Sequence, residues 1–274
     1  MKKFDGKLVL ITGAGSGIGR ETAKLFAEHN AKVIIADIND EGAEQTRRDI
    51  EEKGGWAITK HLDVTDEEAM NQLAAEIHEE FGALDVLINN AGIASAGSFL
   101  DTSTDTWRKV IDVNLMGVVH GCHAFLPAMV ERGQGGQVVN LSSVAGFFGL
   151  PDMPIYVASK FAVQGFSESL RANMAEHGIG VTAICPGIIN TPIVAATIME
   201  GDMKSDKARR NAQELYNKRN YTPDKVAKAI VDAVARNQAV RPVSPESWLL
   251  YIGKRFIPGL TELAAKNQRK LMDS

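Results

Sequence analysis

Tyr156 and Lys160 stand four residues apart in Tyr156-Val157-Ala158-Ser159-Lys160. Residues i and i+4 share one face of a helix, so this spacing brings an ammonium beside a phenol. An opposite charge in hydrogen-bonding reach lowers an acid's pKa by about 1–3 units. Free tyrosine titrates near ~10, so one such shift brings Tyr156 toward neutral pH as a general acid/base. Upstream, Ser143 follows an apolar run, where its hydroxyl can donate to a substrate carbonyl oxygen. Near the start, Thr12-Gly13-Ala14-Gly15-Ser16-Gly17-Ile18-Gly19 joins an apolar run to a helical pattern. Glycines there permit a tight turn and let the backbone approach a pyrophosphate. The helix that follows presents unpaired N–H groups and a partial positive charge. An acid/base group and a dinucleotide cradle together imply hydride chemistry.

The rest of the dinucleotide site follows from strand ends. Asp37 closes the second apolar run, about 20 residues past the glycine loop, where an acid accepts hydrogen bonds from an adenosine ribose. It would repel a 2′-phosphate, and the next residues, Ile38 and Asn39, carry no positive charge. This favours NAD over NADP. Asp63 and Val64 end the third strand, where an adenine ring would lie. Asn89-Asn90-Ala91-Gly92 ends the fourth; Asn89 either touches cofactor or ties neighbouring strands together.

These residues need a frame that brings strand ends together. Leu8–Ile11, Val33–Ala36, the run ending at Leu62-Asp63-Val64, Val86–Ile88, Val138–Leu141 and Gly180–Ile184 read as strands. Helical patterns alternate with them, including a long one over about Trp107–Arg132 and one over Ile155–His177. The alternation argues an α/β fold of the doubly wound type, a parallel sheet of about seven strands between two helical layers. Strands buried on both faces explain the near-continuous apolar runs. The pattern breaks after Thr191, and a polar loop over 192–222 is expected to act as a lid over substrate. Thr222-Pro223 starts another helix, and a short strand follows near 239–243. The chain reads as one domain over 1–274, with a C-terminal extension over 244–274.

The ordered set Thr12-Gly13-x-x-x-Gly17-Ile18-Gly19, Asn89-Asn90-Ala91-Gly92, Asn114, Ser143, Tyr156-x-x-x-Lys160 and Pro186-Gly187 resembles the short-chain dehydrogenase/reductase family across residues 8–192. The resemblance implies a Rossmann-type fold and a catalytic tetrad of Asn114, Ser143, Tyr156 and Lys160. It implies that Lys160 lowers the Tyr156 pKa and binds the nicotinamide ribose, that Ser143 orients the substrate oxygen, and that Asn114 bends its helix and holds a water linked to Lys160. It assigns cofactor contacts to the glycine loop, including Gly15, Ser16 and Ile18, to Asn90, Ala91 and Gly92, and to Pro186 and Gly187. The Ile189 backbone and the Thr191 hydroxyl would hold the nicotinamide carboxamide. A homodimer or homotetramer is also implied, through the helices carrying Asn114 and Tyr156.

Substrate residues are expected among Ala94, Ser95, Ala145, Phe147, Phe148, Met153 and Ile193, with Ser143 and Tyr156 at the reacting centre. Their apolar character points to a hydrophobic secondary alcohol or ketone. The extension stretch Trp248–Ile257 combines aromatic, aliphatic and basic residues. Packing onto protein is favoured for it over contact with a membrane surface, since Pro258-Gly259 stops it early. A net charge of −4 argues against general nucleic-acid affinity. Cys122 and Cys185 show no metal-ligand spacing, and no metal is expected; they suggest a reducing compartment, and a cytoplasmic protein is expected. The polar N-terminus has no apolar h-region, so no signal peptide is expected, and no uncharged apolar run is expected to reach the roughly 18 residues a span needs. Alternatives are a non-catalytic dinucleotide-binding regulator, an NADP-dependent carbonyl reductase, and an epimerase or dehydratase of the extended relatives. The last group has tighter glycine spacing and a larger C-terminal domain.

Overall fold

In the computed structural model, which describes residues 4–191, 193, 196–219 and 221–257, seven parallel strands form one sheet. They are β1 (Leu8–Thr12), β2 (Lys32–Asp37), β3 (Trp56–His61), β4 (Val86–Asn89), β6 (Gly136–Leu141), β7 (Ile179–Cys185) and β9 (Val240–Pro242). Their order is β3-β2-β1-β4-β6-β7-β9. The chain winds outward from β1 to β3, then crosses back to β4 on the other side of β1. That reversal opens a crevice at the carboxyl ends of β1 and β4.

Alternation along each strand supplies two cores. Val9, Ile11, Val33 and Ile35 face α1 (Gly17–Glu28), α2 (Asp40–Glu51) and α8 (Pro223–Ala235). Leu8, Leu10, Ile34 and Ala36 face α3 (Glu67–Phe81), α5 (Gly117–Arg132) and α6 (Pro154–Met174). Side-chain caps fix three helix starts. Asn39 accepts from the Gly42 N–H, Asp66 from Ala69 and Ser103 from Thr106. Thr222 sits at the expected cap of α8 with Pro223 in the first turn, but its hydroxyl is turned to Asp224 instead.

The long helix begins with α4 (Thr104–Ile111), passes through a π-helical turn at Asp112–Met116 and continues as α5. By length and composition this 29-residue helix is apolar enough to cross a membrane. The stretch Val113–Val130 carries no charged residue, which corrects the expectation that no such run exists. Its inner side lies in the core against α3 and the sheet: Val118, Cys122, Phe125 and Met129 are buried there.

The segment expected to be an irregular lid is more ordered than its sequence suggests. Strand β5 (Ser95–Ala96) pairs in parallel with β8 (Ile198–Met199), and α7 covers Asp206–Arg219. Gly97 donates to the Asp152 carbonyl at 2.8 Å. The Glu200 carboxylate accepts from the Ser103 N–H at 3.4 Å, ahead of α4. Residues 192, 194, 195 and 220 of the expected lid, Pro192 among them, lie outside the described residues.

Candidate active site

The glycine turn fits only glycine at its key points. Gly13 and Gly17 have φ of 63° and 53°, a region that side chains rarely adopt. A Cβ on Gly13 would lie 2.8 Å from the Ala91 Cα, and one on Gly19 would lie 2.2 Å from the Gly13 carbonyl oxygen. Gly19→Ala is therefore expected to lower stability by about 1–3 kcal/mol through overpacking. An unchanged denaturant midpoint would contradict this packing argument.

Neighbouring side chains hold the turn from the β4 side. Asn90 Nδ2 donates to the carbonyls of Thr12 and Gly13 at 2.9 and 3.0 Å. Thr12 Oγ1 accepts from the N–H groups of Asn90 and Ala91 at 3.0 and 3.1 Å. The amide of Asn90 thus braces the cradle. Asn89, left open between cofactor and strand contact, takes the strand role. Its Nδ2 donates to Asn140 Oδ1 at 2.9 Å across β4 and β6, and the residue is buried. Asp37 stands at the end of β2 with Oδ2 accepting from the Gly15 N–H at 2.7 Å and Oδ1 from the Asn39 N–H at 2.9 Å.

A crevice of about 770 Å³ runs over these strand ends. Of the residues expected to hold cofactor, it is lined by Gly13, Ser16, Gly17, Ile18, Asp37, Ile38, Asp63, Val64, Asn90, Ala91, Gly92 and Thr191. Ile193, expected at the substrate, lines it too. Gly15, Gly19, Tyr156, Lys160, Pro186, Gly187 and Ile189 do not line it. Gly15 binds Asp37 from behind, and the Ile189 side chain belongs to the core under α8. A Cβ on Gly187 would meet Ser244 Oγ at 2.2 Å, so this turn is closed by the C-terminal segment. Lys109, Asp112 and Val113 line the crevice and were not anticipated. Their signal was present: they precede Asn114 on the same helix, by five, two and one residues.

Tyr156 and Lys160 lie in the first turns of α6, and the Lys160 Nζ is 5.6 Å from the centre of the Tyr156 ring. Lys160 is buried, and its Nζ donates to the Leu141 carbonyl at the end of β6 at 2.8 Å. Burial pushes the Lys160 ammonium down to about 8. Relative to an unfolded lysine the folded state then binds fewer protons between about pH 8 and 10.5, so stability rises with pH through that window. Lys160→Met removes this dependence. The melting-temperature difference, variant minus wild type, is expected to be largest below pH 8 and to shrink up to 10.5. A pH-independent difference would contradict the burial argument.

Ser143 precedes a 3-10 turn, Val144–Gly146, and its Oγ accepts from the Ala145 N–H at 3.1 Å. The turn is pressed onto α6. Ser142 Oγ donates to the Lys160 carbonyl at 2.9 Å, and a Cβ on Gly146 would fall 3.0 Å from that same oxygen. Ser142 therefore anchors the turn to α6, and the Ser143 hydroxyl is held within the turn by the Ala145 N–H. Asn114 lies inside the π-turn and is fully buried. Such turns widen the helix by one residue and recur at functional sites. Its Oδ1 accepts from the Ile93 N–H at 2.8 Å, and its Nδ2 donates to the Ile93 carbonyl at 3.0 Å. A Cβ on Gly92 would lie 3.2 Å from Asn114 Oδ1 and 3.5 Å from Lys160 Nζ, so both polar groups border one spot beside Gly92, which lines the crevice. All four expected tetrad residues thus belong to elements that meet at the carboxyl edge of the sheet.

Residues 7–200 match the family model for short chain dehydrogenases. The chain belongs to the short-chain dehydrogenase/reductase family. Among relatives of this dehydrogenase/reductase, the probable oxidoreductase EphD of Mycobacterium tuberculosis is 45% identical over 259 residues, which cover 93% of this chain and 44% of EphD. The chain spans less than half the length of that relative. A cyclohexanol dehydrogenase of an Acinetobacter species is 39% identical over 194 residues, covering 70% of this chain and 77% of its own. A short-chain dehydrogenase/reductase of Burkholderia phymatum in complex with NAD superposes with a TM-score of 0.85 at 31% identity, covering 95% of this chain and 96% of the other.

The expected substrate residues of this family member divide. Phe147 is buried with Val144 and Cys185, and its ring lies 5.0 Å from that of Tyr251. Ala145 is buried in the 3-10 turn, while Phe148 and Met153 are partly exposed. Tyr251 belongs to α9 (Pro245–Phe256), the described part of the extension. Ser247 of α9 donates to the Cys185 carbonyl at 2.7 Å, and Lys254 Nζ lies 3.9 Å from the Phe161 ring centre. One face of α9 therefore packs on the fold beside the Ser143 turn. Trp248, Leu249, Ile252 and Phe256 are exposed on the helix. Residues 258–274, with the expected Pro258-Gly259 break, lie outside the described residues.

Proposed function

We propose that this short-chain dehydrogenase/reductase is an NAD-dependent oxidoreductase interconverting a hydrophobic secondary alcohol and its ketone. The observation that carries this reading is the Tyr156–Lys160 pair, whose ammonium is buried, bound to the Leu141 carbonyl and set beside Gly92 of the crevice lining.

The residues fit a dinucleotide. The first turn of α1 faces the crevice through Ser16, Gly17 and Ile18. Ser16 makes no side-chain cap there, and no acid stands in that turn, so its N–H groups suit a pyrophosphate. The fixed Asp37 carboxylate suits a free ribose 2′-hydroxyl and opposes a 2′-phosphate. Asp63, Val64 and Ile38 offer the walls for adenine. Bound NAD would supply the hydride acceptor at the nicotinamide.

The protein's part is proton transfer and orientation. Tyr156 takes the hydroxyl proton of the alcohol, or returns it to the ketone oxygen. The Lys160 ammonium stabilises the phenolate that this requires. Ser143 holds the substrate oxygen, and Asn114 fixes the π-turn beside Lys160. Thr191 and Ile193 close the crevice from the segment after β7. The apolar side chains that follow Ser143, Val144, Phe147 and Phe148, and the relative named for cyclohexanol support a hydrophobic secondary alcohol.

An absorbance assay at the reduced-nicotinamide band tests this, with NAD or NADP against a panel that includes cyclohexanol and larger ring alcohols. Reduction of NAD by a panel member is expected. Tight NAD binding with no reduction across secondary alcohols and ketones would instead favour a non-catalytic dinucleotide regulator.

A further inference from the structure

Ser159 lies between the two reactive residues of the Tyr156-x-x-x-Lys160 sequence and is fully buried. Its Oγ donates to the Tyr156 carbonyl at 2.8 Å and accepts from Asn114 Nδ2 at 3.0 Å. We infer that Ser159 is a positioning residue that locks the Asn114 carboxamide in one orientation relative to the Tyr156 turn. The inference rests on the hydride-transfer reading above.

Hydrogen-bond polarity makes the argument. A hydroxyl carries one proton, and that of Ser159 is committed to the Tyr156 carbonyl. Toward Asn114 its oxygen is therefore an acceptor, and only the NH₂ side of the carboxamide satisfies it. Asn114 has two N–H donors; one goes to Ser159 and one to the Ile93 carbonyl. Its Oδ1 takes the Ile93 N–H. A flipped carboxamide would set Oδ1 against both Ser159 Oγ and the Ile93 carbonyl, and NH₂ against the Ile93 N–H, three repulsive contacts in a buried site. The native orientation leaves the second lone pair of Oδ1 for the spot beside Gly92 that Lys160 Nζ also borders. Without the Ser159 hydroxyl, one buried Asn114 N–H loses its partner. The carboxamide is then held only by the Ile93 backbone, on one side of the π-turn.

The resulting defect is one of turnover rather than of cofactor binding. Ser159→Ala is expected to lower kcat about tenfold, in line with an unsatisfied buried donor. The KM for NAD should stay within about twofold, because Ser159 is fully buried and its hydroxyl bonds only to protein groups. Ser159→Cys, close in size but a weaker hydrogen-bonding partner, should fall between the two.

A double-mutant cycle with Asn114→Ala separates positioning from a structural role. If Ser159 acts through Asn114, Ser159→Ala has little further effect on kcat in the Asn114→Ala background. The same loss in both backgrounds, or no loss in the wild-type background, would overturn the inference. Tyr156→Phe, run alongside, tells the two failures apart. Full activity in that variant removes Tyr156 as the proton-transfer group of the reading above, and the inference with it. Lost activity there with an innocent Ser159→Ala removes only the inference. A crystal structure of Ser159→Ala adds a reading independent of turnover: a carboxamide displaced from Ile93 is expected, and an unmoved one counts against the lock.

Discussion

Tyr156→Phe is expected to lower turnover by about 10²–10⁴-fold, the usual contribution of a positioned acid/base, while NAD still binds. The substitution removes only the phenolic oxygen. The ring, the α6 backbone and the Lys160 link to Leu141 all remain. The crevice proposed for the cofactor is lined by other residues, from Gly13 to Ala196. Initial rates and a direct NAD titration of the same preparation check this. Comparable turnover in the variant would remove Tyr156 as the proton-transfer group. Loss of NAD binding together with turnover would show that the ring has a structural part that the arrangement of α6 does not explain.

The second large effect concerns cofactor choice. Asp37→Ala is expected to reduce the preference for NAD over NADP by about 100-fold or more. A carboxylate ~5 Å from a 2′-phosphate is opposed by several kcal/mol per unit charge at an effective dielectric near 20, and the phosphate carries more than one charge. Both carboxylate oxygens of Asp37 are tied down by the N–H groups of Gly15 and Asn39, so it cannot swing aside at low cost. The comparison is of kcat/KM for the two cofactors in wild type and variant. A preference unchanged by the substitution, or a wild type that already favours NADP, would contradict the role given to this carboxylate.

Much of this arrangement was legible in the sequence because close packing leaves strong marks. Strands buried on both faces must be apolar throughout, so β1, β2, β4, β6 and β7 were visible as short runs between helical patterns. The glycine turn was visible because only glycine fits beside Ala91 and the Gly13 carbonyl. The less legible parts are those whose order comes from elsewhere. Helix α7 has few apolar residues, so no periodic stripe marked it. Strands β5 and β8 are two residues each and exist through their mutual pairing. Asn114 read as a residue bending an α-helix; the π-turn around it depends on its contacts with Ile93 and Ser159, which no helix propensity encodes. The contact of Phe147 with Tyr251 comes from α9, about a hundred residues along the chain, and no local pattern announces it.

The extension changes the surroundings of the site more than its chemistry. Glu246 accepts from the Ile188 N–H at 3.3 Å, and Ser244 stands against Gly187. The turn after β7 is thus braced by the first residues of α9, close to Thr191. A family member lacking such a segment would need another support for that turn.

The measurement that bears most directly on the account is the fate of a labelled hydrogen. NAD is incubated with the protein and a secondary alcohol carrying deuterium on its carbinol carbon, and the reduced cofactor is analysed by mass spectrometry. The account predicts that each reduced nicotinamide carries one deuterium and that a matching amount of ketone appears. Reduced cofactor without deuterium, or none at all while NAD stays tightly bound, would contradict direct hydride transfer as the chemistry of this site.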